Sequence, residues 1–239
     1  MKKLLLVFIL VMYLSPKTAN AQEGAAAAGI IGGLVAIGVG VAAIEQMKEN
    51  AELTATQWVL TNRPELENFS LKTLDFDGKK LKDMSAATVI TFKIQEFVPN
   101  DKPELDGKKQ VLFGFTSHGW INQYGIDYNK VKWYLIDRQE WMNMMVAYAK
   151  VSSTIKDESN LEDILEQGKI VNNGVRVRGK LEIPFFKLTG DMYVVTDYSP
   201  EMKLLYNERS LGIFLKHSSD LVQIGRGDII KIHDFLFGE

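Results

Sequence analysis

Pro64 separates two hydrophobic periods, and that change of period constrains the fold more than any other feature. Before it the chain reads as helix. The stretch AAAAGIIGGLVAIGVGVAAIE (25–45) is followed by EQMKENAELTATQWVLTNR, which is polar but helix-forming. There Met47, Ala51, Leu53, Trp58 and Leu60 are expected to share one face, and Arg63, before proline, is the natural stop. One helix from Ala26 to Leu60 fits the pattern. A break at Gly38 or Gly40 fits equally, since glycine weakens a helix interior by about 1 kcal/mol relative to alanine.

After Pro64 the period is two, the mark of strands. FSLKTLDFDGKK alternates through Phe69 and Leu71, then through Leu74 and Phe76, before an Asp77-Gly78 turn. ATVITFKIQEFV sets Val89, Thr91, Lys93 and Gln95 on one face and Ile90, Phe92, Ile94 and Phe97 on the other. A second turn at Asp106-Gly107 precedes QVLFGFTSHGW, and a strand runs from Val131 to Asp137. The repeated DGKK is read as two similar turns, because the flanks do not match. RQEWMNMMVAYAKV returns to helical spacing, with Trp141, Met144, Met145 and Tyr148 as core. SNLEDILEQG is a short helix capped by Ser159 or Asn160 and stopped by Gly168. Asn173-Gly174 marks a hairpin. VRVRGKLEIPFFKL, DMYVVTDY, EMKLLYNE, SLGIFLKH, DLVQIG and DIIKIHDFLF read as successive short strands.

The fold class is therefore α+β. A Gly/Ala-rich helical segment (22–63) precedes a mainly antiparallel β domain (64–239), a meander or partly closed barrel with one or two inserted helices.

The first 21 residues read as an export signal. Lys2 and Lys3 form its positive end, Leu4 to Leu14 its apolar core, and Ala19-Asn20-Ala21 a peptidase site, with cleavage expected after Ala21. The apolar run is short for an uncleaved anchor. The chain has no cysteine, which excludes acylation at cysteine, disulfides and thiolate metal sites. Cleavage removes Lys2, Lys3 and Lys17, taking 28 basic residues to 25 against 30 acidic, a net of −5. That balance does not favour nucleic acid or an anionic membrane surface. Export without disulfides fits a bacterial cell envelope, with the periplasm as the expected location.

On a helix, Ala28, Gly32, Ala36 and Gly40 form one row of small residues, and Ala25, Gly29 and Gly33 an adjacent row. Such rows let a second backbone approach closely. Three readings stay open for residues 25–44: burial against the protein's own domain, membrane insertion, or insertion into a partner. As a partner site the candidate residues are Ala28, Gly29, Gly32, Gly33, Ala36 and Gly40. GIIGG lacks the preceding strand and following residues of a nucleotide loop.

Chemistry is sparse. His118, His217 and His233 do not sit at metal-ligand spacing, and no HExxH occurs, so no metal, cofactor or catalytic residue is assigned. Ser117 and His118 are neighbours that a strand would point apart. His118, Trp120, Asn122 and Tyr124 could line a small ligand site, but a loop with structural aromatics is the better reading. Asp75 and Asp77 share a strand face beside a turn, where solvation is the default. Arg226-Gly227-Asp228 reads as a hairpin turn. Asn68-Phe69-Ser70 is a glycosylation sequon by pattern alone.

The signal ending TANAQ, the glycine-alanine stretch and NRPELENFSLKTLDFDGKKLKDMSAATVITFKIQEF together resemble the exported accessory subunits of the bacterial type IX secretion system, specifically its periplasmic plug. The likeness extends to Phe97 and transfers no residue role. It implies a non-enzymatic subunit of an envelope complex, closing an outer-membrane translocon barrel from the periplasmic side. The alternative is a membrane-tethered envelope domain that binds lipid or a hydrophobic ligand in its β-rich half, with membrane contact through residues 25–44.

Overall fold

The computed structural model describes residues 41–75, 88–116, 121–122, 125–186 and 194–238. The expected signal, nearly all of the glycine-alanine stretch and the Asp77-Gly78 turn lie outside these.

Helix α1 (Val41–Asn62) ends where the proline predicts, with the Arg63 amide donating to the Val59 carbonyl at 2.8 Å. Its inner face is Ala51, Ala55 and Val59, with Trp58 beside them. Leu53 and Leu60 do not share that face and are 68% and 60% exposed. At 3.6 residues per turn, position 53 lies on the far side of the helix from position 51. The Met47 side chain is outside the description.

Strands β1 (Phe69–Asp75), β2 (Thr88–Glu96), β3 (Lys109–Thr116) and β6 (Val131–Ile136) form an antiparallel sheet in the order β1-β2-β3-β6. The short pair β4 (Ile121–Asn122) and β5 (Gly125–Ile126) precedes a 3₁₀ turn at Tyr128–Lys130. The alternation read in β2 holds: Ile90, Phe92 and Ile94 face α1, while Val89 faces the opposite core. Phe97 falls outside the strand, and its amide bonds to the Asn68 carbonyl at 3.1 Å. The phase slip between Leu71 and Leu74 is a β-bulge. Thr73 pairs Phe92 and Asp75 pairs Thr91, so Leu74 is the extra residue. Leu71 consequently packs towards α1 and Leu74 towards the larger core.

Gly114 pairs with Trp133 across β3 and β6, and a Cβ there would lie 2.9 Å from the Trp133 ring. The missing side chain makes room for a tilted aromatic group, Trp58, Trp133 and Phe92.

Asp137 ends β6 not as a strand residue but as the N-cap of α2 (Arg138–Ser152), its Oδ1 accepting from the Glu140 amide at 2.8 Å. Trp141, Met144, Met145 and Tyr148 are core, as their spacing predicts. Helix α3 (Glu158–Gln167) is capped by Asp157 rather than Ser159 or Asn160. Asp157 accepts from the Asn160 amide at 3.2 Å, so the cap lies two to three residues earlier than expected and the helix begins at Glu158.

A small sheet, β7 (Lys169–Val171), β8 (Gly174–Val177) and β9 (Lys180–Ile183), follows. Asn172-Asn173 form its first turn, and Gly174 already belongs to β8, where a Cβ would collide with the Ile183 carbonyl. A second meander, β10 (Val194–Asp197), β11 (Met202–Tyr206), β12 (Ser210–Leu215) and β13 (Asp220–Gly225), pairs in chain order. Among the described residues the sheets stay open and no barrel closes.

DIIKIHDFLF is not a strand. It lies in helix α4 (Arg226–Phe237), whose buried residues Ile229, Ile232, His233 and Leu236 keep helical spacing. The β-branched content suggested strand, but the spacing carries the structure. Arg226-Gly227-Asp228 accordingly opens a helix and makes no hairpin turn. The larger core unites α2, α3, α4 and β10–β13 with one face of the first sheet, and α1 covers the other face.

Candidate functional site

The six small residues expected to hold a partner, Ala28, Gly29, Gly32, Gly33, Ala36 and Gly40, lie outside the described residues. So do Ser117, His118, Trp120, Tyr124 and Asp77. His217 is exposed in the turn after β12.

His233 is 2% exposed and joins three helices. Its Nδ1 lies 3.3 Å from Trp141 Nε1 on α2, and its Nε2 lies 2.9 Å from the Leu165 carbonyl on α3. The indole only donates, so Nδ1 accepts and Nε2 carries the proton. The Leu165 carbonyl belongs to the last turn of α3, where no intrahelical donor is available. Burial lowers the His233 pKa to about 4, opposed by the hydrogen bond to Leu165. The ring is neutral at pH 7 with both nitrogens engaged, and stacks on Phe237 at 4.7 Å. It has no free nitrogen for acid–base work.

The buried tyrosines are equally structural. Tyr148 stacks on Phe185 at 4.5 Å, meets Tyr206 edge-on at 4.7 Å, and donates to the Asn207 carbonyl. Tyr198 donates to Glu140 at 2.7 Å. Burial raises the pKa of all three phenols. Tyr206 Oη has no partner among the described residues.

Two open grooves flank the C-terminal end of α4. The first, about 760 Å³, runs past Lys108, Lys109, Arg138 and Glu166. The second, about 820 Å³, lies between α4 and the β7–β9 sheet. Arg138 stands between them, its guanidinium 4.4 Å from the centre of the Phe237 ring and 2.7 Å from Glu166. In the first groove Lys109 is spent on the Gly238 carbonyl at 3.0 Å and lies 5.7 Å from the Phe235 ring centre.

The second groove is lined by Lys169, Arg176, Arg178, Ile230, Asp234 and Phe237, with His233 also at its wall. Asp234 reaches Lys169 at 3.7 Å. The guanidiniums of Arg176 and Arg178 have no hydrogen-bond or ion-pair partner among the described residues. The sequence reading passed over this cluster, although KIVNNGVRVRGK (169–180) holds four basic residues and no acidic one. Among the described residues no three His, Asp or Glu side chains converge to hold a metal. No protein-family model, curated protein or solved structure matches the chain.

Proposed function

We propose that this chain is an exported, non-catalytic subunit of a cell-envelope complex, acting as a plug or gate on the periplasmic side of an outer-membrane secretion pore. The type IX resemblance names the kind of pore. The observation that carries the reading is the two-sidedness of α1, into which the glycine-alanine stretch runs directly. Among its described side chains, α1 grips its own sheet only from Ala51 onward, through Ala51, Ala55 and Val59 with Trp58 beside them. It turns Leu53 and Leu60, seven residues apart and hence on one line, to solvent. A helix that holds its domain lightly and offers leucines outward suits contact with a second protein.

His233 adds support, because a ring with both nitrogens in structural hydrogen bonds is a poor candidate for catalysis. The charged linings of the two grooves weigh against an apolar ligand. Among the described residues no helix is long and apolar enough to cross a membrane.

The test is co-purification of the tagged full chain from its native envelope. Leu53→Glu with Leu60→Glu, and separately Gly32→Leu with Gly40→Leu, should each reduce recovery of partner chains while thermal unfolding stays near the parent's. Added bulk where two backbones meet costs about 1–3 kcal/mol, roughly ten- to hundredfold in affinity. Unchanged recovery in both pairs would sink the proposal. Retention in the membrane after a carbonate wash would replace it with the membrane-tethered reading.

A further inference from the structure

The β8–β9 hairpin holds cations together against local preference. Lys169 and Arg176 pair directly across β7 and β8, and like charges opposite one another destabilise a sheet. Val177 pairs with Lys180, leaving Arg178-Gly179 as a two-residue turn with φ of +49° and +83°. Such a turn favours asparagine, aspartate or glycine at its first position, because a Cβ is strained there. Arginine is a poor choice for the turn itself. Yet it puts a second guanidinium on the same groove as Arg176, in a chain that carries more acidic than basic residues. The nearby carboxylates do not answer these charges: Asp234 faces Lys169, and Glu166 is held by Arg138.

From this juxtaposition we propose that the groove between α4 and the β7–β9 sheet binds a molecule carrying a phosphomonoester, gripped by Arg176 and Arg178, with its body against Ile230 and Phe237. A phosphomonoester carries about −1.5 to −2 charges at pH 7, matching two unpaired guanidiniums, and its oxygens suit their forked donors. Lys169, already facing Asp234, adds a weaker third contact. The half-buried Ile230 and Phe237 supply apolar surface beside the cations, so an organic phosphate should bind better than phosphate alone. The source is a soluble phosphate ester or a lipid headgroup of the same chemistry. The inference does not rest on the plug reading.

Phenyl phosphate titrated calorimetrically into the full chain tests the soluble source. Sedimentation with phosphatidylcholine vesicles containing phosphatidic acid tests the lipid source. Arg176→Gln should weaken whichever interaction occurs by about tenfold or more, the usual loss for a charged hydrogen-bonding partner. Arg178→Gly discriminates further, because it relaxes the turn. The proposal expects a higher thermal midpoint together with weaker binding, whereas a merely structural arginine would not link the two. Either arm responding through the arginines supports the site, and the arm that responds names the source. Absence of binding in both arms, or binding unaffected by Arg176→Gln and Arg178→Gly, overturns it. Equal affinity for benzoate overturns the choice of phosphate over carboxylate.

Discussion

Helices α1 and α4 meet opposite faces of one sheet, β1-β2-β3-β6, and they hold it differently. α4 inserts Ile229, Ile232, His233 and Leu236 into the larger core, where α2, α3 and the β10–β13 meander close around them. α1 offers Ala51, Ala55 and Val59, with its Trp58 set against Trp133 of the sheet at the edge of the contact. A buried isoleucine side chain contributes about 1.5–3 kcal/mol, and an alanine methyl only a fraction of that. Part of the hold on α1 is polar: Glu52 accepts from the Thr73 amide at 2.8 Å and its hydroxyl at 2.9 Å, beside the bulge at Leu74. The lesson is that coverage and grip differ. Both helices shield the sheet, but one is part of the core and the other is a light cover able to serve as an attachment.

The comparison can be broken first at α4. Ile232→Ala should cost about 2–5 kcal/mol, the range for emptying a closed core site. Chemical denaturation should show a single transition at lower denaturant. Loss of less than 1 kcal/mol would mean that α4 is no more firmly held than α1.

Acid tests the same helix through its histidine. The folded pKa of His233 is about 4, below the ordinary 6.5, so the unfolded chain takes up the proton first. This contribution is fully present above pH 6.5, declines as pH falls towards 4, and levels off below that. The loss should approach about 3 kcal/mol. His233→Gln, which keeps one donor and one acceptor, should flatten that part of the stability-versus-pH curve. An unchanged slope would show that other groups produce it.

On the other face, Ala55→Leu should cost about 1–3 kcal/mol by overpacking a fully buried site. The comparison is sharpened by where the effect appears. Amide exchange should accelerate in α1 more than in α4. Equal acceleration throughout would show that α1 belongs to the same cooperative unit.

The smallest effect belongs to the outer line of α1. Leu53→Gln and Leu60→Gln should leave stability within about 0.5 kcal/mol, as exposed substitutions usually do. A larger loss, read by thermal unfolding of the isolated chain, would mean that these leucines pack within the protein itself.

Much of the architecture was legible because local periodicity and burial agreed. Ile90, Phe92 and Ile94 are buried without a break on the face towards α1, while the other face passes from buried Val89 to exposed Lys93, so the alternation marks one face that is core along its length. The slip from Leu71 to Leu74 was visible as a broken alternation, and the bulge is its physical form. DIIKIHDFLF misled because isoleucine-rich composition suggests strand, while Ile229, Ile232 and Leu236 keep the helical interval. Leu53 and Leu60 misled because hydrophobic character was taken for burial, whereas the helix buries its alanines. Of the site features, the basic run 169–180 was present in the sequence. Its meaning was not, since the opposition of Lys169 and Arg176 depends on register.

The sequence by itself determined the class of the fold, through the change of period at Pro64, and the core of α2, through aromatic and methionine spacing. These follow from the geometry of single elements, which each local stretch dictates. Tertiary structure alone decided which face of α1 is inner, which strands neighbour one another, and that His233 serves three helices. It also decided that Arg176 and Arg178 share a groove with α4. Those outcomes depend on contacts between residues far apart in the chain, and local periodicity carries no information about them.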